Sequence, residues 1–382
     1  MEYRILGRTG LKVGAIALGC EGFADKTTEE VRADFDFAIR NGINFLDLYA
    51  SNPTLRSNIG AALAGRREKF VIQGHLCSVW EEGQYLRTRD PEKSLAAFED
   101  MLARLGTDYV EIGMIHYVDA EADLREVLDG PIMRLAQRLR SEGRIRHIGL
   151  SSHNPVVAHM AARTGLIDVL MFSVNPCYDL LPPSDDVDTL WADESYAREL
   201  HNIDPERQRL YEFCEREGIA IDVMKAYGGG DLLSDANSPF GRPMTPVQCL
   251  EYALTRPGVA AVMAGCRSRT EIEAALAWCS ATAAERDYTG ALAGLDKFSW
   301  EGHCMYCGHC APCSVGIDIA GVNKYYNLTL AQHEIPETVR EHYRLLPHHA
   351  SECIACGRCE RNCPFGVDII GHMRLAAAKF GY

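Results

Sequence analysis

Four cysteines in "HCMYCGHCAPCSVGIDI", which begins at His303, recur at every third position: Cys304, Cys307, Cys310 and Cys313. "SECIACGRCERNCPFGVDI", from Ser351, repeats the pattern with a longer last gap: Cys353, Cys356, Cys359 and Cys363, followed by Pro364. The spacing C-x2-C-x2-C lets one tight loop offer three thiolates to an iron–sulfur cube from one side. The fourth thiolate precedes a proline and serves the other cluster in two-cluster ferredoxins. The second run matches that pattern fully, and the first departs only in its final gap. Two 4Fe–4S clusters are therefore expected, with Cys313 and Cys363 exchanged as fourth ligands. Zinc is one alternative, although structural zinc takes two separated pairs of ligands and two triplets overfill it. Disulfides between thiols three apart fit poorly in a reducing compartment. A single cluster, with the first run purely structural, is the third alternative. His303, His309, His348 and His349 flank the runs and read as polar surface or outer hydrogen-bonding groups. The other cysteines (Cys20, Cys77, Cys177, Cys214, Cys249, Cys266 and Cys279) read as small buried hydrophobes.

The elements that must position these thiols form part of a 382-residue chain, long enough for one large core and a smaller one. A formal charge of −14 without a Lys/Arg-rich run speaks against nucleic-acid binding. No basic-then-apolar leader opens "MEYRILGRTG", and no stretch approaches the apolar length of a membrane span. A soluble, cytoplasmic protein is expected.

From the start to about Leu295, apolar runs alternate with amphipathic helical stretches. The strand candidates are "AIALGC", "NFLDLYAS", "KFVIQGH", "YVEIGMIHY", "IRHIGLSSH", "VLMFSVN", "IAIDVMKAY" and "VAAVMAGC". Near-continuous apolar strands suit a parallel sheet covered by helices. Eight such units in this length predict an α/β fold, a TIM (β/α)8 barrel, over 1–295. The open doubly wound alternative lacks its GxGxxG after the first strand. Residues 296–382 are expected to form a small, mainly helical ferredoxin-like iron–sulfur domain beside the barrel mouth, stapled by its clusters. Its middle, "GVNKYYNLTLAQHEIPETVREHYRLL", reads as short helices broken at Pro336. The insertion "DLLPPSDDVDTLWADESYARELHNIDPE" follows the sixth strand on the side where barrel sites are built, and reads as a lid or pocket wall.

"YRILGRTGLKVGAIALG", "NFLDLYAS", "GMIHYVD", "GRIRHIGLSSH" and "VMAGCRSRTEIEAAL" resemble, in order, the signatures of aldo-keto reductases, and the tail resembles the ferredoxin-like extension of one branch. The resemblance implies hydride exchange between a nicotinamide and a small carbonyl or alcohol at the barrel mouth. It assigns the catalytic aspartate to Asp47, the tyrosine to Tyr49 and the histidine to His116. Asp47 and Tyr49, two apart at a strand end, share a face. A phenol can protonate a nascent alkoxide, and an imidazole can orient the carbonyl. The family's lysine is replaced by Gln73, which carries no charge to lower a tyrosine's pKa. Lys225, and less directly His75, are candidate substitutes.

The same resemblance places the carboxamide of NADP(H) at Ser151, Ser152 and Asn175, and its phosphate and adenine at Gly265, Arg267 and Ser268. A guanidinium suits a 2′-phosphate, but Ala275 stands where an adenine-contacting asparagine is usual. The glycine run Gly228–Gly230 allows close backbone approach. An alternative is a reductase fed through the clusters by ferredoxin or flavodoxin, without nicotinamide turnover. A third reading is a non-enzymatic electron-carrier module that uses the barrel as a scaffold. Joining a two-electron hydride to one-electron clusters calls for an intermediary, and no flavin motif is present.

Overall fold

The computed structural model describes residues 1–197, 199–293, 295, 298–330, 335 and 337–382. Eight parallel strands close a barrel: β1 (Ile16–Gly19), β2 (Phe45–Leu48), β3 (Val71–Leu76), β4 (Val110–Ile115), β5 (Ile145–Ser152), β6 (Val169–Ser173), β7 (Ala220–Met224) and β8 (Val259–Gly265). Seven lie within the apolar runs read from the sequence, and β3 extends one residue past its run, to Leu76. β8 pairs back onto β1, so no edge is left unpaired.

Local chemistry sets where the helices begin. Asn52, Asp90, Asn154, Asp204 and Thr245 each cap a helix through a side-chain oxygen, and each is followed by proline at the first helical position. The side chain satisfies an orphan backbone donor, and proline starts the helix without needing one. Two apolar layers result. The lumen is filled by Leu6, Phe45, Ile112, Met114, Met171 and Met263 among small residues such as Ala17, Ala220 and Ala261. A larger layer lies between the strands and the outer helices.

Strand register places the polar lumen residues. Asp47 pairs with Gln73 between β2 and β3, and His75 pairs with Met114 between β3 and β4. Side chains two apart on a strand share a face, so Gln73, His75 and, past the end of β4, His116 line one side of the interior.

Two additions crown the mouth. A hairpin of Ser78–Glu81 with Gln84–Arg87 was not read from the sequence; its turn carries Glu82 and Gly83 at positive φ. The insertion after β6 forms short turns at Tyr178–Leu180 and Val187–Leu190. Its strand Leu200–His201 pairs with Phe298–Ser299, where the chain leaves the barrel. The insertion's two feet are tied by Asp204 N–H donating to Asp179 O at 2.7 Å.

Beyond this crossing lie helices Ile319–Leu330, Glu337–Arg344, Arg358–Asn362 and Ile369–Phe380. The expected break at Pro336 lies outside the described residues, as do three of the residues around the expected boundary after residue 295. The tail's position corrects one expectation. Barrel helices run back from the mouth to the opposite rim, and the tail meets them near that far end. Met305 contacts Arg256, which lies between helix Pro246–Leu254 and β8. Lys324 pairs with Glu215, at the end of helix Pro205–Glu217, at 2.7 Å. The cysteine loops therefore pack on the outer helical wall rather than beside the mouth, because the tail's apolar side chains continue the layer between strands and helices. No helix among the described residues is long and apolar enough to cross a membrane.

Candidate active site and cysteine loops

Asp47, Gln73, His75 and His116 form one hydrogen-bonded chain at the upper lumen. His75 Nε2 lies 2.9 Å from Asp47 Oδ1, and His75 Nδ1 lies 2.7 Å from His116 Nδ1. Two ring nitrogens this close must share one proton, one donating and the other accepting. His116 Nε2 has no hydrogen-bond partner among the described residues. Burial, then the neighbouring His75, pushes His116 well below the usual imidazole range.

Gln73 does what a neutral side chain can at this position. Its Nε2 donates to Asp47 Oδ1 at 2.9 Å and to Asp222 Oδ2 at 3.0 Å. Burial, with the charge of Asp47 adding to it, raises Asp222 well above the carboxylate range, which favours its protonated form. Sequence reasoning missed Asp222; its signal was an acid within the otherwise apolar strand "IAIDVM".

Tyr49 stacks on His116 with ring centroids 5.5 Å apart and planes 4° from parallel. Tyr85, from the hairpin, meets both rings edge-on. Burial, followed by the Glu21 carboxylate, raises Tyr49 far above an ordinary phenol. Lys225 is half-buried, with Nζ 4.4 Å above the Trp191 ring of the insertion. Burial lowers its pKa, against the pull of Asp119, Glu21 and Asp188. Lys225 is therefore within electrostatic reach of Glu21, the acid beside Tyr49, but among the described residues it makes no contact with Asp47.

The cysteine loops frame two cavities. Cys304, Cys307, Cys310 and Cys363 line the first, with Ile319 and Val367. Cys313, Cys353, Cys356 and Cys359 line the second, with Ile317 and Met373. Each thus gathers three thiols from one run and the fourth from the other. Among the described residues, no three His, Cys, Asp or Glu side chains converge on a point for a single ion; the thiols instead surround a shared volume. Burial pushes Cys304 and Cys310 up to about 12, so their thiolates need a positive group within the cavity, as iron would supply. The donor set fits a thiolate-bound cube.

A model of the Aldo/keto reductase family matches residues 11–246. The chain belongs to this family. A model of the 4Fe-4S dicluster domain matches residues 303–368, so this aldo/keto reductase carries an iron–sulfur domain. L-galactose dehydrogenase from Arabidopsis thaliana is 24% identical over 306 residues, covering 72% of this chain and 86% of that protein. The uncharacterized oxidoreductase YqkF from Bacillus subtilis is 27% identical over 176 residues, covering 45% of this chain and 56% of that protein; the match spans little more than half of YqkF. An aldo-keto reductase from Bacillus halodurans in its holo form superposes with a TM-score of 0.58 at 23% identity, covering 75% of this chain and 94% of that one. At that identity it shows the shared fold.

In this aldo/keto reductase the expected nicotinamide contacts are largely engaged. Asn175 Oδ1 accepts from the backbones of Cys177 and Tyr178, and its Nδ2 donates to Lys225 O at 2.9 Å. Ser152 Oγ donates to Asp119 Oδ1 at 3.0 Å, whereas Ser151 Oγ is buried without a partner among the described residues. Gly265 closes β8 at the surface, and Arg267 is exposed. Ser268 caps the next helix through Glu271 N–H, while the Glu271 carboxylate holds Arg267 N–H, a donor that a phosphate could otherwise use.

Proposed function

We propose that this oxidoreductase interconverts a small carbonyl compound and its alcohol at the barrel mouth, with NADP(H) as hydride partner. Residues 1–295 would form the catalytic barrel and 296–382 the iron–sulfur unit. The observation that carries the reading is the chain Asp47–His75–His116, which ends at a ring nitrogen free to meet a substrate oxygen. In the reducing direction, bound NADPH would supply the hydride and His116 Nε2–H would protonate the carbonyl oxygen. His75, protonated on both nitrogens and held by the Asp47 carboxylate through Nε2–H, would pass its Nδ1 proton to His116 Nδ1, so that both imidazoles end neutral. Tyr49, raised by burial and Glu21, orients the His116 ring rather than serving as the main acid. Gln73 supplies geometry where the family's lysine would supply charge, and Lys225 supplies a cation beneath the insertion.

Arg267, with Gly265 and Ser268, supports the phosphate end of NADP(H), and the unpartnered Ser151 hydroxyl supports its carboxamide. The eight cysteines would hold two 4Fe–4S clusters with exchanged fourth ligands, supplying one-electron chemistry. A second reading, electron delivery by a ferredoxin or flavodoxin without nicotinamide turnover, is favoured by the prior engagement of Asn175, Ser152 and Arg267 N–H. Anaerobic titration with NADPH, followed by cluster absorbance and EPR, separates the two. Tight NADPH binding with turnover of small aldehydes supports the first reading. Absence of binding at millimolar NADPH would sink it in favour of the second.

A further inference from the structure

Met305 lies between Cys304 and Cys307, and its carbonyl oxygen is held from the barrel side. Tyr288 Oη donates to it at 2.7 Å, and Arg256 Nη2 donates to it as well. Arg256 is only 2% exposed. Its Nε donates to Tyr252 O at 3.2 Å and its Nη2 to Thr255 Oγ1 at 3.1 Å. The guanidinium lies 4.6 Å over the Tyr252 ring and 5.4 Å from that of Tyr306. Its Nη1 has no partner among the described residues.

From Arg256 the contacts continue inward. The Tyr252 hydroxyl donates to Asp179 Oδ2 at 2.7 Å, and Tyr211 donates to the other carboxylate oxygen. Arg207 lies 3.5 Å from Asp179 and donates to Ser173 O, at the end of β6. Asp179 is also the foot of the insertion above the site. The buried network therefore holds two guanidiniums against one carboxylate, and the carboxylate is on the Arg207 side.

A buried cation without a counter-charge costs several kcal/mol, so native proteins pair it. None of the ion pairs among the described residues gives Arg256 a carboxylate within 4.0 Å. The partner that fits is an anionic group in the cavity the Met305 loop encloses, and a cube bound by four thiolates is net negative. A fixed cation beside it favours the reduced, more negative state. Among the described residues, the wall of the second cavity carries no buried cation; Arg358, on that wall, is exposed.

We propose that Arg256 is the built-in counter-cation of the cluster held by Cys304, Cys307, Cys310 and Cys363, and that it sets this cluster's potential above that of its neighbour. Through Tyr252 and Asp179, the same residue ties the first cysteine loop to the foot of the insertion over the barrel site. The inference rests on the cluster assignment made above, not on the carbonyl chemistry.

The test uses anaerobically purified holoprotein and an EPR-monitored redox titration. Wild type should show two separate midpoints. Arg256→Gln should lower the higher midpoint and leave the other in place. The expected change is about tenfold in the reduced-to-oxidised ratio, or about 59 mV for a one-electron couple. Arg256→Lys, which keeps the charge, should stay near wild type. Tyr288→Phe, which removes a hydrogen bond but no charge, should shift the midpoint far less than the glutamine variant. If Arg256→Gln fails to retain iron, the lysine and phenylalanine variants still decide: a higher midpoint lowered by about 59 mV in either Arg256→Lys or Tyr288→Phe overturns the charge argument. Unshifted midpoints in Arg256→Gln, or equal shifts in both clusters, overturn it as well. Wild type with about four irons instead of eight overturns the assignment beneath it.

Discussion

At residue 73 an amide stands where an ammonium is expected, and the surroundings have changed with it. A lysine there would sit between two carboxylates and keep both ionised. Gln73 instead donates one hydrogen to each, and burial favours the protonated form of Asp222. The proton path shifts to His75, which links Asp47 to His116. His75→Gln should therefore lower kcat for small aldehydes by about 10²–10⁴, the usual worth of general acid–base catalysis, with little change in KM. An unchanged kcat would remove the relay from the mechanism. Restoring the charge by Gln73→Lys should raise NADPH-dependent carbonyl reduction. No change would mean that another group already supplies the charge or that carbonyl reduction is not the reaction. Tyr85 and Glu21 show how residue-level reading can fall short. Both touch or bias Tyr49, yet neither stands at a spacing that announces it.

At the scale of elements, helix Pro205–Glu217 faces two ways. Leu210 and Tyr211 pack inward, and its far end meets the tail. Glu212, buried on this helix, accepts from Gln208 Nε2 at 2.6 Å. Burial raises its carboxyl from the ordinary 4.5 to about 7. A folded pKa above the unfolded one means that the native state holds the proton more tightly. The associated stability is present below about pH 4.5 and is lost as pH rises through about 7. Glu212→Gln keeps the hydrogen bond and removes the ionisation. It should match wild type near pH 4.5 and exceed it at pH 8 by roughly 3 kcal/mol at most, read as a higher Tm in anaerobic melts. A pH-independent difference would point to packing instead. The hairpin Ser78–Glu81/Gln84–Arg87 belongs to this scale too: its "EEG" turn lies between the third apolar run and the next helical stretch, where no element was read.

The whole molecule joins barrel and tail through one continuous apolar layer, the Lys324–Glu215 pair and the Arg256–Met305 contact. Purified anaerobically, it should contain about eight irons and about eight sulfides per chain, two cubes' worth, by colorimetric assay. About four of each would mean one cluster, and zinc in place of iron would refute the cube reading altogether. Because the layer is shared, removing iron should also lower the Tm of the barrel. A barrel transition unmoved by iron loss would show that the tail folds and fails alone.

Much of this architecture was legible from local pattern. Eight apolar runs set apart by helical stretches, many opened by a cap and proline, carry their own periodicity and caps, so strand number, barrel class and the thiol triplets could be read along the chain. Exchange of the fourth thiols was expected from the ferredoxin spacing, and the two cavities group the cysteines in that division. Only tertiary structure could bring Asp222 across the lumen to Gln73, from a position 149 residues away in sequence. It also turned His75 toward both Asp47 and His116, and seated the first cysteine loop on Arg256 at the outer wall. The physical reason is one of range. Periodicity, capping and ligand spacing act within a few residues and leave a trace in order, whereas side chains that meet across a closed barrel are chosen by register and by the need to pair buried charge, which linear spacing does not record.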